Sequence, residues 1–247
     1  MKTRIYAHRG AAAYAPENTM PSFEMACEMG TDAFELDVHL TKDGKVVVIH
    51  DDTVDRTSNG SGAVSSMTYA ELLEMDFSYG KEGFEKVRIP LLNEVFEFAH
   101  KNNIFVNVEL KENLYQDAFP IIEKVLKIEK EYGMSENVIY SSFNHYLLRD
   151  LKKVSKEIST GLLYVGGLVD IWEYAKKLEA QAVHPHYSCL SYKNLVTECH
   201  SQQIAVNPWT VDSESDILEM LQSGVDGIIS NKPDIVKKVC NQFYQTK

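Results

Sequence analysis

Short β-rich runs alternate with longer helical patterns along nearly the whole chain, a rhythm that points to parallel β-α units. The strand candidates are Ile5 to His8, Ala33 to Leu40, Val46 to His50, Phe105 to Leu110, Val138 to Ser142, Thr160 to Val165, Ala182 to His184, Ile204 to Trp209 and Gly227 to Ser230. Helical patterns fall between them at Pro21 to Met29, Leu92 to Lys101, Gln116 to Glu131, Tyr146 to Lys156, Leu168 to Leu178, Tyr192 to Ser201, Glu214 to Gln222 and Pro233 to Phe243. Gly30, Gly133 and Gly224 each close a periodic run, as glycine does past a helix end. These runs suffice for a closed eight-stranded α/β barrel with one strand to spare. A length of 247 residues fits two small domains or one large barrel. With no flexible linker or internal repeat in view, residues 1–247 are read as a single TIM-barrel domain.

Two places break the alternation. Asp43-Gly44 between apolar runs is a tight-turn signal, so the second and third strand candidates are expected to join directly. Residues 52–90 carry Ser58-Asn59-Gly60-Ser61-Gly62, a short helix opened by Thr68-x-x-Glu71, and the polar Ser78 to Glu85. They are read as an insertion after the third strand, over the barrel mouth, because so short a segment buries little core alone.

A formal charge of -11 opposes any partner that needs a broad basic surface. Nucleic acid and stable membrane insertion are therefore not expected, and an anionic small molecule needs a local cation to offset the general repulsion. Cys27, Cys189, Cys199 and Cys240 lie far apart without C-x-x-C spacing, which indicates neither a zinc knuckle nor a disulfide framework. The first strand-like run begins by Arg4 and no stretch approaches a membrane span, so a cytoplasmic location is expected.

Ionisable residues gather at strand ends, where a parallel barrel keeps its chemistry. Glu35 and Asp37 are two apart on one strand, so both leave the same face, and an unpaired carboxylate is costly inside a barrel. Glu109 and Lys111 repeat the arrangement on another strand. His8 and His50 end the first and third runs and suit a general acid and general base, since imidazole titrates near neutrality. Arg9 offers a fork of donors fitted to phosphate oxygens and Lys111 a point charge. Together they describe a phosphoryl-transfer site. Three carboxylates favour a hard ion, magnesium or calcium, while zinc competes because histidines are its usual ligands.

His8-Arg9-Gly10, Pro16-Glu17-Asn18-Thr19, Glu35-Leu36-Asp37-Val38, Thr41-Lys42-Asp43-Gly44, His50-Asp51, Arg56-Thr57, Glu109-Leu110-Lys111, Trp209-Thr210-Val211 and Gly224-Val225-Asp226-Gly227-Ile228-Ile229 together resemble the glycerophosphodiester phosphodiesterases, in order over nearly the whole chain. The resemblance implies a TIM barrel with a small insertion after the third strand. It implies hydrolysis of glycerophosphodiesters, such as glycerophosphocholine and glycerophosphoethanolamine, to sn-glycerol 3-phosphate and an alcohol. It further implies one divalent ion, Mg2+ or Ca2+, on Glu35, Asp37 and Glu109, with His8 and His50 as the acid-base pair and Arg9 and Lys111 on the phosphate. Asn18 and Trp209 fall in motifs that line the family's pocket. Two departures stand out: Asp212 where the pattern reads Trp-Thr-Val-Asn, and Ser230-Asn231-Lys232-Pro233 where it reads Thr-Asp-x-Pro. Neither is expected to touch a metal ligand or histidine, so they bear on substrate preference.

Whether the nucleophile is water or the substrate's own glycerol 2-hydroxyl stays open. Lysophospholipids or phosphoinositides would call for an apolar or basic rim; no exposed hydrophobic run stands out, so a water-soluble diester is preferred. A non-catalytic phosphodiester sensor would not need the histidine pair with three carboxylates. His184, His186, Tyr187 and Tyr164 lie near later strand ends, where they either edge the pocket or pack. His39 is expected on the face opposite Asp37, and His100, His145 and His200 at helix ends are expected to cap or face solvent.

Overall fold

The computed structural model describes residues 2–78, 80–111, 119–192 and 194–245. In chain order its elements are β1 (Arg4–His8), α1 (Met20–Glu28), β2 (Ala33–Leu40), β3 (Val46–Val48), α2 (Tyr69–Leu73), α3 (Leu92–Lys101), β4 (Phe105–Leu110), α4 (Phe119–Glu131), β5 (Val138–Ser142), α5 (His145–Val154), β6 (Thr160–Tyr164), α6 (Ile171–Lys177), β7 (Ala182–Pro185), α7 (Leu195–Ser201), β8 (Ala205–Val206), α8 (Glu214–Ser223), β9 (Gly227–Ser230) and α9 (Pro233–Gln245). Eight strands pair in parallel in the order β9-β1-β2-β4-β5-β6-β7-β8. Backbone hydrogen bonds from Asp226 to Val206, Ile229 to Pro208 and Val211 to Ile229, all 3.0 Å, join the last strand pair. The fold is a TIM barrel.

The spare strand is β3, which lies antiparallel to β2 through the Asp43-Gly44 turn and stays outside the ring. The eighth strand is shorter than the Ile204 to Trp209 run, because Pro208 lacks the N–H that a regular ladder needs. Asn207 and Trp209 still donate to β7, so the chain stays extended. Two helices begin three residues later than the periodicity predicts, α6 after the Gly166-Gly167 loop and α7 after a 3₁₀ turn at Tyr187–Ser191. The predicted start of α4 at Gln116 lies outside the described residues.

Period-two alternation divides the strands into two faces. Phe34, Leu36, Val38, Val106, Val108 and Leu110 face outward into the main core beneath the helices. Tyr6, Ala33 and Ile229, with Phe105 and Trp209, form a small separate cluster. The parallel register places His8 beside Glu35, Glu35 beside Asn107 and Asp37 beside Glu109.

Within residues 52–90 the Thr68 and Glu71 capping box is made in both directions. Val54, Val64, Leu72, Phe77 and Ile89 pack with Val47 and Ile49 into a core of their own. Lys81 ties this segment to the loop after β1 through the carbonyls of Ala12 and Ala13 at 3.0 and 3.1 Å. The four cysteines are free thiols, and no helix among the described residues is long and apolar enough to cross a membrane.

Candidate active site

At the C-terminal ends of β1, β2 and β4 the side chains picked out from sequence converge. His8, Arg9, Glu35, His50, Asn107, Glu109, Lys111, Phe143, Leu163, Trp209 and Ile229 line a cavity of about 130 Å³. That is well below the roughly 300–1,000 Å³ of drug-sized sites and suits a small polar group. Gly10 makes the approach possible: at φ +80°, a Cβ there would lie 2.4 Å from the Ser22 hydroxyl oxygen. Arg9 and Asn18 also take positive φ, at 54° and 57°, so the loop after β1 folds back over the strand ends.

Glu35, Asp37 and Glu109 are buried, and each offers an oxygen within 4.8 Å of the others. Asn18 donates to Asp37 Oδ2 at 2.8 Å. It is itself buried and braces that carboxylate rather than lining the cavity. Lys111 Nζ contacts Glu109 and lies 3.3 Å from Asp37 Oδ1, which accepts no hydrogen bond among the described residues.

Burial, then the charges of Asp37 and Glu109, raise the Glu35 carboxyl well above its ordinary value. Burial and Asp37 push Glu109 up to about 7. Burial also opposes ionisation of Asp37, but Lys111 and Arg9 outweigh it and hold that group far down. The cluster is thus short of positive charge, has an unused buried carboxylate oxygen, and consists of hard oxygen donors. Those features fit a divalent ion.

The two histidines are held differently. His8 Nδ1 is 2.8 Å from Asn231 Oδ1, and its Nε2 lies 3.8 Å from Glu35 Oε2. Burial and the Arg9 charge lower its pKa to about 4. His50 Nδ1 lies 2.6 Å from the Asp51 carboxylate. Asp51 accepts from Arg56 Nε at 2.7 Å, and Arg56 donates to both Glu17 oxygens at 2.7 and 2.8 Å. Glu17 in turn accepts from Arg9 at 2.9 Å, and Arg9 Nε stands 3.4 Å from Asp37. An ionic chain therefore runs from His50 to the carboxylate cluster, crossing from the 52–90 segment to the barrel. The sequence motifs contain Glu17, Asp51 and Arg56, but nothing in their spacing announces this chain.

Three expectations are corrected. Lying two residues beyond Asp37 on a continuous strand, His39 leaves the same side, and its Nε2 is 3.1 Å from the His50 carbonyl oxygen. The departures at Asp212 and Asn231 do reach a histidine, since Asn231 contacts His8. Exposed apolar side chains do gather at the mouth, from separate segments rather than one run: Phe143, Tyr146 in the first turn of α5, Val165, Leu168, Val169 and Tyr192 follow β5, β6 and β7.

Of the weaker candidates, His184 is fully buried between Asn107 and Asn207, and Tyr164 lies in the helix-facing core. The His186 and Tyr187 rings lie against each other at a tilt of 37°, and His186 meets the Trp209 ring edge to face. Trp209 also meets Phe143 and donates to the His184 carbonyl at 2.8 Å. His145 donates to the Leu163 carbonyl at 2.9 Å and His200 pairs with Asp226 at 2.8 Å.

The sequence profile of the Glycerophosphoryl diester phosphodiesterase family matches residues 8–235. The chain belongs to that family. It is 46% identical over 237 residues to a glycerophosphodiester phosphodiesterase of Caldanaerobacter subterraneus subsp. tengcongensis, covering 95% of this chain and 96% of the relative. It is 39% identical over 241 residues to one of Bacillus altitudinis, covering 96% and 98%. An Oleispira antarctica phosphodiesterase solved with the product sn-glycerol-3-phosphate superposes with a TM-score of 0.91 at 27% identity, covering 97% of each chain. Membership makes the chain an enzyme of phosphodiester hydrolysis, with glycerophosphodiesters as its substrate class.

Proposed function

We propose that the chain hydrolyses water-soluble glycerophosphodiesters, glycerophosphocholine and glycerophosphoethanolamine among them, to sn-glycerol 3-phosphate and an alcohol, with one Mg2+ or Ca2+ held by Glu35, Asp37 and Glu109. The observation that carries this reading is the convergence of three buried carboxylates with two histidines, Arg9 and Lys111 around one small cavity. When bound, the ion supplies Lewis-acid stabilisation of charge on phosphate oxygens. Arg9 and Lys111 orient the phosphate and offset the negative charge that grows on its oxygens. His8 and His50 act as the acid-base pair, one taking a proton from the attacking hydroxyl and the other giving one to the leaving alkoxide. Asn18 keeps Asp37 in place, and Trp209 and Phe143, in edge-to-face contact, offer apolar surface to a glycerol carbon skeleton. Residues 52–90 serve as an insertion across the mouth of a single domain, fixing His50 through Asp51 and Arg56. Free thiols and the strongly acidic surface suit a cytoplasmic enzyme.

The test is release of glycerol 3-phosphate from glycerophosphocholine by wild type and His50→Ala, each with and without chelator. Chelator and substitution should each abolish most of the release, and Mg2+ or Ca2+ should restore it to wild type. Wild type that releases nothing in a metal-dependent way from any headgroup overturns the reading.

A second reading draws on the apolar rim. Val169 is 89% exposed and borders a groove of about 260 Å³ with Leu168, Trp172, Tyr192 and Leu195. Such a surface favours monoacylated diesters, lysophospholipids, as additional substrates of the same site.

A further inference from the structure

Asp212 and Asn231, one from each motif that departs from the family pattern, are bonded to each other. Asn231 Nδ2 lies 2.7 Å from Asp212 Oδ2, and the Asn231 backbone N–H donates to Asp212 Oδ1 at 2.8 Å. The Ser230 hydroxyl donates to the same oxygen at 2.9 Å. An ionised carboxylate only accepts, so the amide atom turned toward it is the NH2. The other amide atom, Oδ1, is left facing His8 Nδ1 at 2.8 Å. An amide oxygen also only accepts, so the proton in that contact sits on His8 Nδ1. In the neutral ring, Nε2 then carries the lone pair, on the side of Glu35 and the cavity.

We propose that Asp212 and Asn231 are positioning residues that fix His8 as its Nδ1–H tautomer, making Nε2 the atom through which His8 exchanges a proton. This rests on the hydrolytic reading of the site given above. The hydrogen bonds tie the two positions directly to each other. With an acid at 231 and an amide at 212, the acid accepts from His8 directly and the amide donates to the acid. Either order presents His8 with an acceptor. Two amides leave the orientation of the Asn231 side chain undetermined, and two acids set like charges about 2.7 Å apart. The pair therefore works as an exchange of acid and amide, and each single change breaks it.

The experiment uses the full chain with imidazole-15N-labelled histidine, the His8 signals being those that His8→Gln lacks. In wild type, Nδ1 should show the protonated and Nε2 the bare nitrogen shift, whether or not metal is present. Asp212→Asn should mix the tautomers and lower kcat about ten- to a hundredfold while KM stays within about twofold. Asn231→Asp should lower kcat by a similar factor, and the double exchange D212N/N231D should recover to within about threefold of wild type with the single tautomer restored. A wild-type spectrum with the proton on Nε2 overturns the proposal, even if every variant fails to fold. It is overturned equally by an Asp212→Asn protein that keeps both tautomer and kcat, or by a folded double variant no better than the worse single one. An inactive wild type with the Nδ1–H spectrum would instead refute the hydrolytic reading while leaving the tautomer assignment standing.

Discussion

The two halves of the barrel mouth are built on opposite principles. The half formed by β1, β2, β4 and the 52–90 segment carries His8, Arg9, Glu17, Glu35, Asp37, His50, Asp51, Arg56, Glu109 and Lys111, almost all tied to a partner of opposite charge or to a hydrogen-bonding amide. The half formed by the segments that follow β5, β6 and β7 carries exposed Phe143, Tyr146, Val165, Leu168, Val169 and Tyr192. Buried charges persist only where neighbours fix them, so the first half is preorganised. The second half has fewer such ties and presents apolar side chains to solvent instead. In the proposed reading the first half carries the chemistry and is held rigid, while the second bears on the choice of substrate and is left adaptable.

The sharpest way to break that contrast is to remove a charge from the rigid half. Glu35→Gln should lower kcat/KM about a thousandfold or more and abolish binding of the divalent ion by calorimetry. Its melting temperature without metal should not fall, because the lost carboxylate was repelled by Asp37 and Glu109. A large loss of stability with intact metal binding would mean the cluster is structural. Next in size, His50→Ala should cost about a hundredfold in kcat with little change in metal affinity.

Proton competition probes the same cluster more gently. Glu109, raised to about 7, is neutral below that pH and ionised above it. A cation needs the ionised forms of Glu109 and of Glu35, which is raised as well, so metal affinity should weaken as the pH falls through 7, by about tenfold per unit for each carboxyl that must lose a proton. Glu109→Gln should flatten this slope. Slightly smaller, Arg56→Ala should lower kcat about tenfold, by releasing Asp51 and Glu17 together and so loosening His50 and Arg9 at once. If Arg56→Ala affected only stability, the ionic chain from the insertion would play no part in catalysis.

How far each half could be read from sequence follows from the same physics. Glu35, Asp37 and Glu109 lie within apolar strands, where a carboxylate has no cheap structural purpose, so they and the barrel rhythm were legible together. The link from His50 to Arg9 was not, because it depends on the backbone of Arg9 and Asn18 turning back at positive φ and on Arg56 reaching across from a different core. Asp212 and Asn231 lie nineteen residues apart, and only closure of the last strands brings them onto each other and onto His8. The rim escaped notice for the opposite reason. Val165, Leu168 and Val169 share one loop, but Phe143, Tyr146 and Tyr192 come from elsewhere in the chain, and no single window of sequence shows the six as a patch.

The rim therefore yields the smallest effect on the diester and the most specific one on substrate choice. Val169→Ser with Tyr192→Ser should leave kcat/KM for glycerophosphocholine within about twofold, since neither residue lines the catalytic cavity. For a monoacylated substrate the same pair should raise KM about tenfold, roughly what one buried apolar side chain contributes, with kcat little changed. Equal loss on both substrates would show that the apolar loops brace the cavity, and the division of the mouth into a rigid and an adaptable half would fall. No loss on either would leave the division standing but take the acyl chain away from this surface, because a patch that bound it could not lose Val169, its most exposed member, together with the Tyr192 ring without weakening the complex.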